Sequence, residues 1–173
     1  DLEIAFDFDD PDQVAVVLIR NYELPVDEVT YEALSRVLDP KLSNLGAIGV
    51  LHGRFRAWFE EHPAQQRSFV EAALAQGSSR AGQLAMLELD RRNSIEDMAL
   101  WLRAVKHEQA SVRIKAAKGM GRVYDKAAIR ALAEAVDDPN PTVRDAALEA
   151  LERIKEIEEQ KAYWKDFADK MDK

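Results

Sequence analysis

The three histidines are the residues of this chain whose type first suggests metal or acid–base chemistry. Only His107 is followed directly by a carboxylate, Glu108, at a position between two predicted helices. One His–Glu pair supplies too few ligands for a metal centre. His62 precedes a proline and His52 falls within a predicted helix, so we expect solvated or partly packed imidazoles.

An acidic cluster near the start of the chain offers a second set of oxygen ligands. It comprises Asp7, Asp9, Asp10 and Asp12. A calcium loop of the EF-hand type also needs a central Gly and a terminal Glu, and neither occurs at the required spacing. Asp10 directly precedes Pro11, the order expected of a helix N-cap and first helical residue. We therefore expect a solvated acidic lead-in that ends in a helix cap.

Other catalytic and binding motifs are absent from the sequence. It has no nucleophile elbow, no phosphate-binding glycine loop and no dinucleotide fingerprint. The lack of cysteine excludes disulfides, thiolate metal sites and a cysteine nucleophile. We therefore assign no catalytic residue, no metal ligand and no cofactor. No long apolar run or signal-peptide pattern predicts membrane insertion, and the compartment stays open with the cytoplasm favoured.

Charge is unevenly distributed along the 173 residues. The net charge is −8, and residues 1–60 carry 12 acids against 5 bases. Residues 103–130 are the opposite, with eight bases and two acids. Because gripping a polyanion takes several cations on one surface, the acidic total makes nucleic acid an unexpected partner. The basic band is the part of the chain that could contact an anionic surface.

Apolar residues repeat along the chain at an offset of 31. The pairs are Met98 and Ile129, Trp101 and Leu132, Val105 and Val136, Val112 and Val143, Ala116 and Ala147, Met120 and Leu151, and Val123 and Ile154. Two arginine pairs share the offset, Arg113 with Arg144 and Arg122 with Arg153. A weaker copy lies upstream, where Gly82 occupies the position equivalent to Arg113. We infer internal repeats, with periodic arginines that pair with turn acids such as Asp125, Asp137 or Asp138.

Each repeat contains two amphipathic helices. Apolar residues recur at spacings of three and four on both sides of residues 137–142, where two prolines interrupt the helix. Ser94 with Asp97 predicts a capping box, and Ser111 predicts the start of the next helix. Upstream, Asp39–Pro40 predicts another turn. About nine helices follow, and the segment from Ala146 to Met171 is one long helix or breaks near Gln160.

The stretch GMGRVYDKAAIRALAEAVDDPNPTVRDAALEALERI, residues 119–154, carries a family resemblance. Its small-residue helix end, acidic turn and Asp-Pro-x-x-x-Val-Arg-x-x-Ala second helix resemble the short HEAT-like repeat of phycobilisome lyases. The turn of ankyrin repeats and the Trp, Leu-Gly and Tyr spacing of tetratricopeptide repeats are absent. The resemblance is strongest over residues 94–154. It implies a fold with a curved binding surface, and no single activity.

This resemblance implies an all-α chain, a right-handed α-solenoid or α–α superhelix of about four to five HEAT-like helix pairs. We expect one domain over residues 1–173. Its best repeats are 64–93, 94–124 and 125–155, preceded by degenerate helical pairs over 10–62. Residues 156–173 are expected to form a polar capping helix that prevents further stacking. The chain begins at Asp1 without a methionine, so we expect a processed or excised piece.

Lys115, Lys118 and Arg122 are the candidate partner-binding residues. If Val112 and Ala116 face the core, these three cations, which we call the basic stripe, share the exposed flank of the same helix. The second helices of HEAT-type solenoids line the concave face. Lys115 and Lys118 depart from the repeat, which leaves two interpretations open, a solvated face or a contact surface.

Tryptophan is placed by the same periodicity. Trp101 aligns with Leu132 and is predicted to lie in the core. Trp58 ends a long helix and Trp164 lies in the last one, and we expect core packing for both. An exposed aromatic would be a candidate hot spot.

Two classes of function fit the sequence. The first is a non-catalytic HEAT-like scaffold whose concave surface binds another protein, or another domain of the parent chain. The alternative is an enzyme or enzyme subunit on the same fold, similar either to chromophore lyases or to HEAT-like DNA glycosylases. HEAT-like proteins that resemble deoxyhypusine hydroxylases bind iron through repeated His–Glu pairs, and this sequence has one such pair. The oligomeric state stays open.

Overall fold

Helices account for all the regular secondary structure in the part of the chain that the computed structural model describes, residues 9–21, 23–38, 45–92, 94–122 and 125–171. Nine α-helices and one short 3₁₀ turn lie there, and these residues form no strand. The all-α prediction is confirmed. Asp7 and the Asp39–Pro40 turn lie outside the described residues. The chain divides into two compact units, Asp1–Glu88 and Leu89–Lys173.

The first unit holds the helices α1 to α4 and most of α5. Their bounds are α1 Pro11–Arg20, α2 Glu28–Val37, α3 Leu45–Glu61, α4 Pro63–Gln76 and α5 Ser79–Arg92. Asp10 caps α1 as predicted, since its Oδ1 accepts the Asp12 N–H at 2.9 Å. Asp27 and Thr30 form a reciprocal capping box at α2. Gly77 ends α4 at φ 78°, a left-handed conformation that favours glycine.

Aromatic rings fill the core of the first unit. Phe55, Phe59 and Phe69 are fully buried, and Tyr31 packs against the first two from α2. The Phe59 and Phe69 centroids are 5.2 Å apart, which joins α3 to α4. Tyr31 also donates its hydroxyl hydrogen to the Gln65 carbonyl at 2.8 Å. Contacts between large aromatic rings therefore hold α2, α3 and α4 together.

A buried polar cluster lies beside these rings. The Glu88 carboxylate, 1% exposed, contacts His52 Nε2 at 2.7 Å with one oxygen and accepts the Gln66 amide hydrogen with the other. The His52 ring stacks on Phe69. The expectation of a solvated or partly packed His52 was therefore wrong. Its burial depends on a carboxylate 36 residues away, because a buried imidazole needs a polar partner.

The second unit holds α6 to α9. A 3₁₀ turn at Ile95–Asp97 precedes α6 Met98–Ala104, and α7 Ala110–Met120, α8 Lys126–Ala135 and α9 Pro141–Met171 follow. Ser94 Oγ accepts the Glu96 N–H as a cap, but α7 begins before Ser111, with Gln109 at its N-cap. Of the two interpretations of the C-terminal segment, the single helix is right, without a break at Gln160.

Equivalent positions of the two best repeats are buried together. Trp101 and Leu132, Val112 and Val143, and Ala116 and Ala147 are all fully buried. A spacing of three and four places such residues on one side of each helix, so the 31-residue period is a period of core contacts. With this architecture the α-solenoid fold class is confirmed. The single-domain boundaries stay a prediction.

Two glycines at the end of α7 allow close helix contacts. A Cβ on Gly119 would collide with the Trp101 ring of α6. A Cβ on Gly121 would lie 2.9 Å from the Ala150 Cα of α9. Small residues here therefore let α7 approach α6 within a repeat and α9 of the next repeat.

Replacing Glu88 with alanine should destabilise the first unit. The substitution removes the carboxylate that His52 and Gln66 contact in the interior, so we expect a loss of about 3 kcal/mol in the free energy of unfolding. Glu71→Ala is the matched control, since Glu71 is exposed and pairs only weakly with Arg67 at 3.4 Å. Urea unfolding followed by circular dichroism measures both. Equal losses in the two variants would contradict a structural role for the buried cluster.

Candidate functional site

The basic stripe lies on and just beyond α7, opposite the core-facing side of that helix. Val112, Ala116 and Met120 are fully buried against the second unit. Their burial turns Lys115, Lys118 and Arg122 towards the other flank. Lys118 is the most exposed of the three side chains, at 56%, while Arg122 is at 35% and Lys115 is half-buried.

Arg122 is held by an acid of α5. Its Nη2 donates to Asp90 Oδ1 in an ion pair, and Lys115 also acts electrostatically on Asp90. Partial burial raises the pKa of the Asp90 carboxyl, and Arg122 and then Lys115 oppose that rise. The prediction that Arg122 pairs with a turn acid was therefore wrong. Arg122 follows the end of α7, which lies beside the end of α5, one repeat earlier.

Lys118 has a looser partner. Its Nζ lies 3.9 Å from Glu149 Oε2 of α9, and both side chains are more than half exposed. These two residues occupy equivalent repeat positions, 31 apart, so neighbouring second helices bring them together. A long, solvated ion pair contributes little to stability. Its charges can exchange this contact for one with another molecule at low cost.

Arg113 joins two consecutive turns. Its Nη1 donates to the carbonyl oxygens of His107 and Glu108, both at 2.8 Å, in the turn that precedes its own helix. Its Nε and Nη2 donate to the two oxygens of Asp138 in the following turn, at 2.7 and 2.9 Å. The prediction that Arg113 pairs with a turn acid is confirmed.

Arg144 repeats the first half of this arrangement. Its Nη1 donates to the carbonyls of Asp138 and Pro139 at 2.9 and 3.2 Å, again six and five residues earlier. It binds carbonyls of the turn that contains Asp138, whereas the carboxylate itself is held by Arg113. The periodic arginine therefore has a shared role, to fasten the turn before its own helix.

Asp138 is stabilised in its charged form by this arrangement. The hydrogen bond from Arg113 lowers the pKa of the Asp138 carboxyl, and the backbone N–H of Asn140 and the charges of Arg113 and Arg144 add to that effect against the cost of burial. The Asn140 N–H lies 2.8 Å from the carboxylate. The Asp138 carboxylate therefore interacts with Arg113 of α7, with Asn140 of the turn and with Arg144 of α9.

Residues 98–170 match the family model described as HEAT repeats. This match is consistent with the predicted HEAT-like repeats. No curated protein and no solved structure matches the chain significantly. The matched range covers α6 to α9, so the helix pairs that the Arg113–Asp138 contact joins are HEAT repeat pairs. Segments of this family generally serve as scaffolds for protein interaction.

Neither of the remaining histidines forms a metal site with the acids around it. Among the described residues, no group of three or more His, Asp or Glu side chains could hold a metal ion. His107 is buried, and its Nδ1 accepts the Gln109 N–H at 3.0 Å. His62 is half-exposed and contacts the Trp58 carbonyl at 2.9 Å, as expected.

In the described residues, no helix has the length and apolar character to cross a membrane.

The tryptophans fall into three environments. Trp101 is fully buried, as predicted. Trp58 is half-buried and stacks on Tyr31 with ring centroids 5.2 Å apart. Trp164 is 62% exposed, so the prediction of core packing was wrong there. It lies on the part of α9 beyond Ile154, where every described side chain except Ile157 is exposed.

A cleft of about 360 Å³ lies between the turns that Arg113 connects. Four of its charged lining residues form ion pairs, Arg113 with Asp138, and Lys106 with Glu134 at 3.1 Å. The cleft is lined by ends of first helices and by turns, away from the basic stripe. It therefore does not supply the apolar pigment pocket on the second helices that a chromophore lyase would need.

Arg113 and Arg144 provide a matched pair of substitutions. Arg113→Ala removes contacts to two turns, including two charged hydrogen bonds, and should lower the free energy of unfolding by about 3 kcal/mol. Arg144→Ala removes hydrogen bonds to neutral carbonyls and only a weaker, non-bonded attraction to Asp138, and should cost about 1 kcal/mol. Chemical unfolding of the two variants measures the difference. A cost for Arg144→Ala equal to that for Arg113→Ala would refute the connecting role of the carboxylate.

Asp138 should give the HEAT repeats a defined acid sensitivity. Because its pKa is lower in the folded than in the unfolded chain, its contribution is fully present above the ordinary value of 3.8 and is lost as the pH falls through the folded value. The stability difference between the wild type and Asp138→Asn should therefore be constant from pH 7 to 5 and shrink below about pH 4. Unfolding at several pH values tests this. A difference that persists undiminished at pH 2.5 would contradict it.

Proposed function

We propose that this protein is a non-catalytic scaffold that binds another protein, or another domain of its parent chain, through the exposed surface of its second helices. The HEAT repeat match carries the general role. The basic stripe is the proposed contact, since Lys115 and Lys118 depart from the repeat and the exposed Lys118 is engaged only in a long ion pair. In HEAT-type solenoids this surface is the concave one.

The charges of the surface divide into two groups. Arg122 and Lys115 act on Asp90, whose partial burial makes its charged form costly, so these two cations support the scaffold itself. Lys118 and Glu149 form a long exposed pair that a partner can open. We therefore assign the main contact to Lys118, with Glu149 as its neighbour of opposite sign. A partner with both an acid and a base at matching separation fits this surface.

Reversal of the basic stripe should abolish partner binding. The variant carries Lys115→Glu, Lys118→Glu and Arg122→Glu. Its control carries Arg103→Glu, Lys126→Glu and Arg130→Glu, three exposed cations on the first helices, so the change in net charge is the same. Proteins captured from the source cells on each immobilised variant are compared by quantitative mass spectrometry, and any protein lost only with the stripe variant is the expected partner.

Lys118→Glu alone provides the check against unfolding, because Arg122→Glu also places two acids together at Asp90. We expect this single change to weaken capture about tenfold while thermal unfolding stays unchanged, since an exposed charge pair adds little stability. Capture of every protein by the stripe variant at the level of the control would remove the basic stripe from the binding surface.

A further inference from the structure

The second half of α9, residues 155–171, contains the least covered run of described side chains in the second unit. Its described side chains, from Lys155 to Lys165, are exposed except for half-buried Ile157. Tyr163 and Trp164 are each 62% exposed and meet edge to face at 5.3 Å. At 1.5 Å per residue the segment spans about 25 Å. Exposed aromatic side chains on a charged helix are typical of a contact surface.

A further stacked helix pair does not fit α9 in the way α9 fits α7. Small residues lie where α9 approaches α7: Ala117 and Gly121 are buried, and a Cβ on Gly121 would lie 2.9 Å from the Ala150 Cα. One repeat later these positions hold Leu148, 48% exposed, and exposed Glu152. The larger side chains keep another helix from the same approach. The occupant of the exposed half must therefore pack by a different geometry.

Coiled-coil spacing continues from the buried part of α9 into the exposed part. Ile154, Ile157, Lys161 and Trp164 are separated by three, four and three residues, and the sequence continues with Ala168 and Met171 at four and three. This is the a/d pattern of a heptad, with one lysine at an a position. A lone polar residue there costs stability but selects one register. Tyr163 lies outside the pattern.

We propose that the second half of α9 pairs antiparallel with the same segment of a second copy of this chain. In the register where a positions face d positions, Lys161 lies over Trp164 of the second copy, a cation–π contact. Glu158 lies beside Lys165 of the second copy, and twofold symmetry repeats each contact. The segment is therefore complementary to itself in both charge and apolar spacing.

Sedimentation equilibrium of the full chain tests the pairing. We expect a concentration-dependent shift from one to two chains between about 1 and 200 µM, as is typical of weak interfaces. Trp164→Glu should raise the dissociation constant at least about a hundredfold. Tyr163→Glu is the matched control, since its side chain is equally exposed but lies off the heptad, and should leave the constant within about threefold.

Charge reversal tests the antiparallel register. Glu158→Lys and Lys165→Glu should each weaken the dimer about tenfold, because each creates two like-charge contacts by symmetry. The double variant should restore the wild-type constant. In a parallel pair Glu158 would face Arg153, so the double variant would stay weakened. A chain that remains monomeric at 200 µM, an equal effect of Tyr163→Glu and Trp164→Glu, or a failure of the double variant to recover would each overturn the proposal.

Discussion

The guanidinium of Arg113 fixes the geometry on which the second unit depends. A planar group with donors in fixed directions cannot reach two turns unless both stand at one distance and angle. Because Arg113 and Asp138 are 14% and 10% exposed, their charged hydrogen bonds act in a largely desolvated setting. The turn that carries Asp138 also begins α9, so the same contact orients α9 against α7. The placement of the basic stripe beside Glu149 follows from that orientation.

Close packing by small residues complements this polar connection. Gly119 admits the Trp101 ring within a repeat, and Gly121 admits the backbone of α9 between repeats. Glycine is unfavourable within helices by about 1 kcal/mol relative to alanine, so Gly119, inside α7, exchanges local helix stability for contact area. The polar turns and the glycine end of α7 lie at opposite ends of the helix. Together they hold α9 at two separate points, which resists rotation better than either alone.

Periodicity explains why the core of the repeats could be predicted and several polar contacts could not. Burial of Trp101, Val112 and Ala116 follows from helix spacing alone. His52 could not be placed in the same way, since its burial depends on Glu88, which no local pattern connects to it. Arg122 was assigned to the wrong acid, although the repeat itself held the signal. An offset of one repeat places Asp90 beside the end of α7. Trp164 continues the core spacing of α9. It lies beyond the buried part of that helix, however, and is therefore exposed.

The distribution of paired charges argues for a surface with a fixed and an exchangeable part. Arg122 is less exposed than Lys118, at 35% against 56%, and holds Asp90 in a close ion pair, so releasing it costs the scaffold more. Lys118 and Glu149 stand 3.9 Å apart in solvent, and water replaces either at little cost. A partner gains the most binding free energy at charges whose release costs the scaffold the least stability. Specificity on this surface therefore arises at the positions that depart from the repeat, while the periodic arginines keep the helices in place around them.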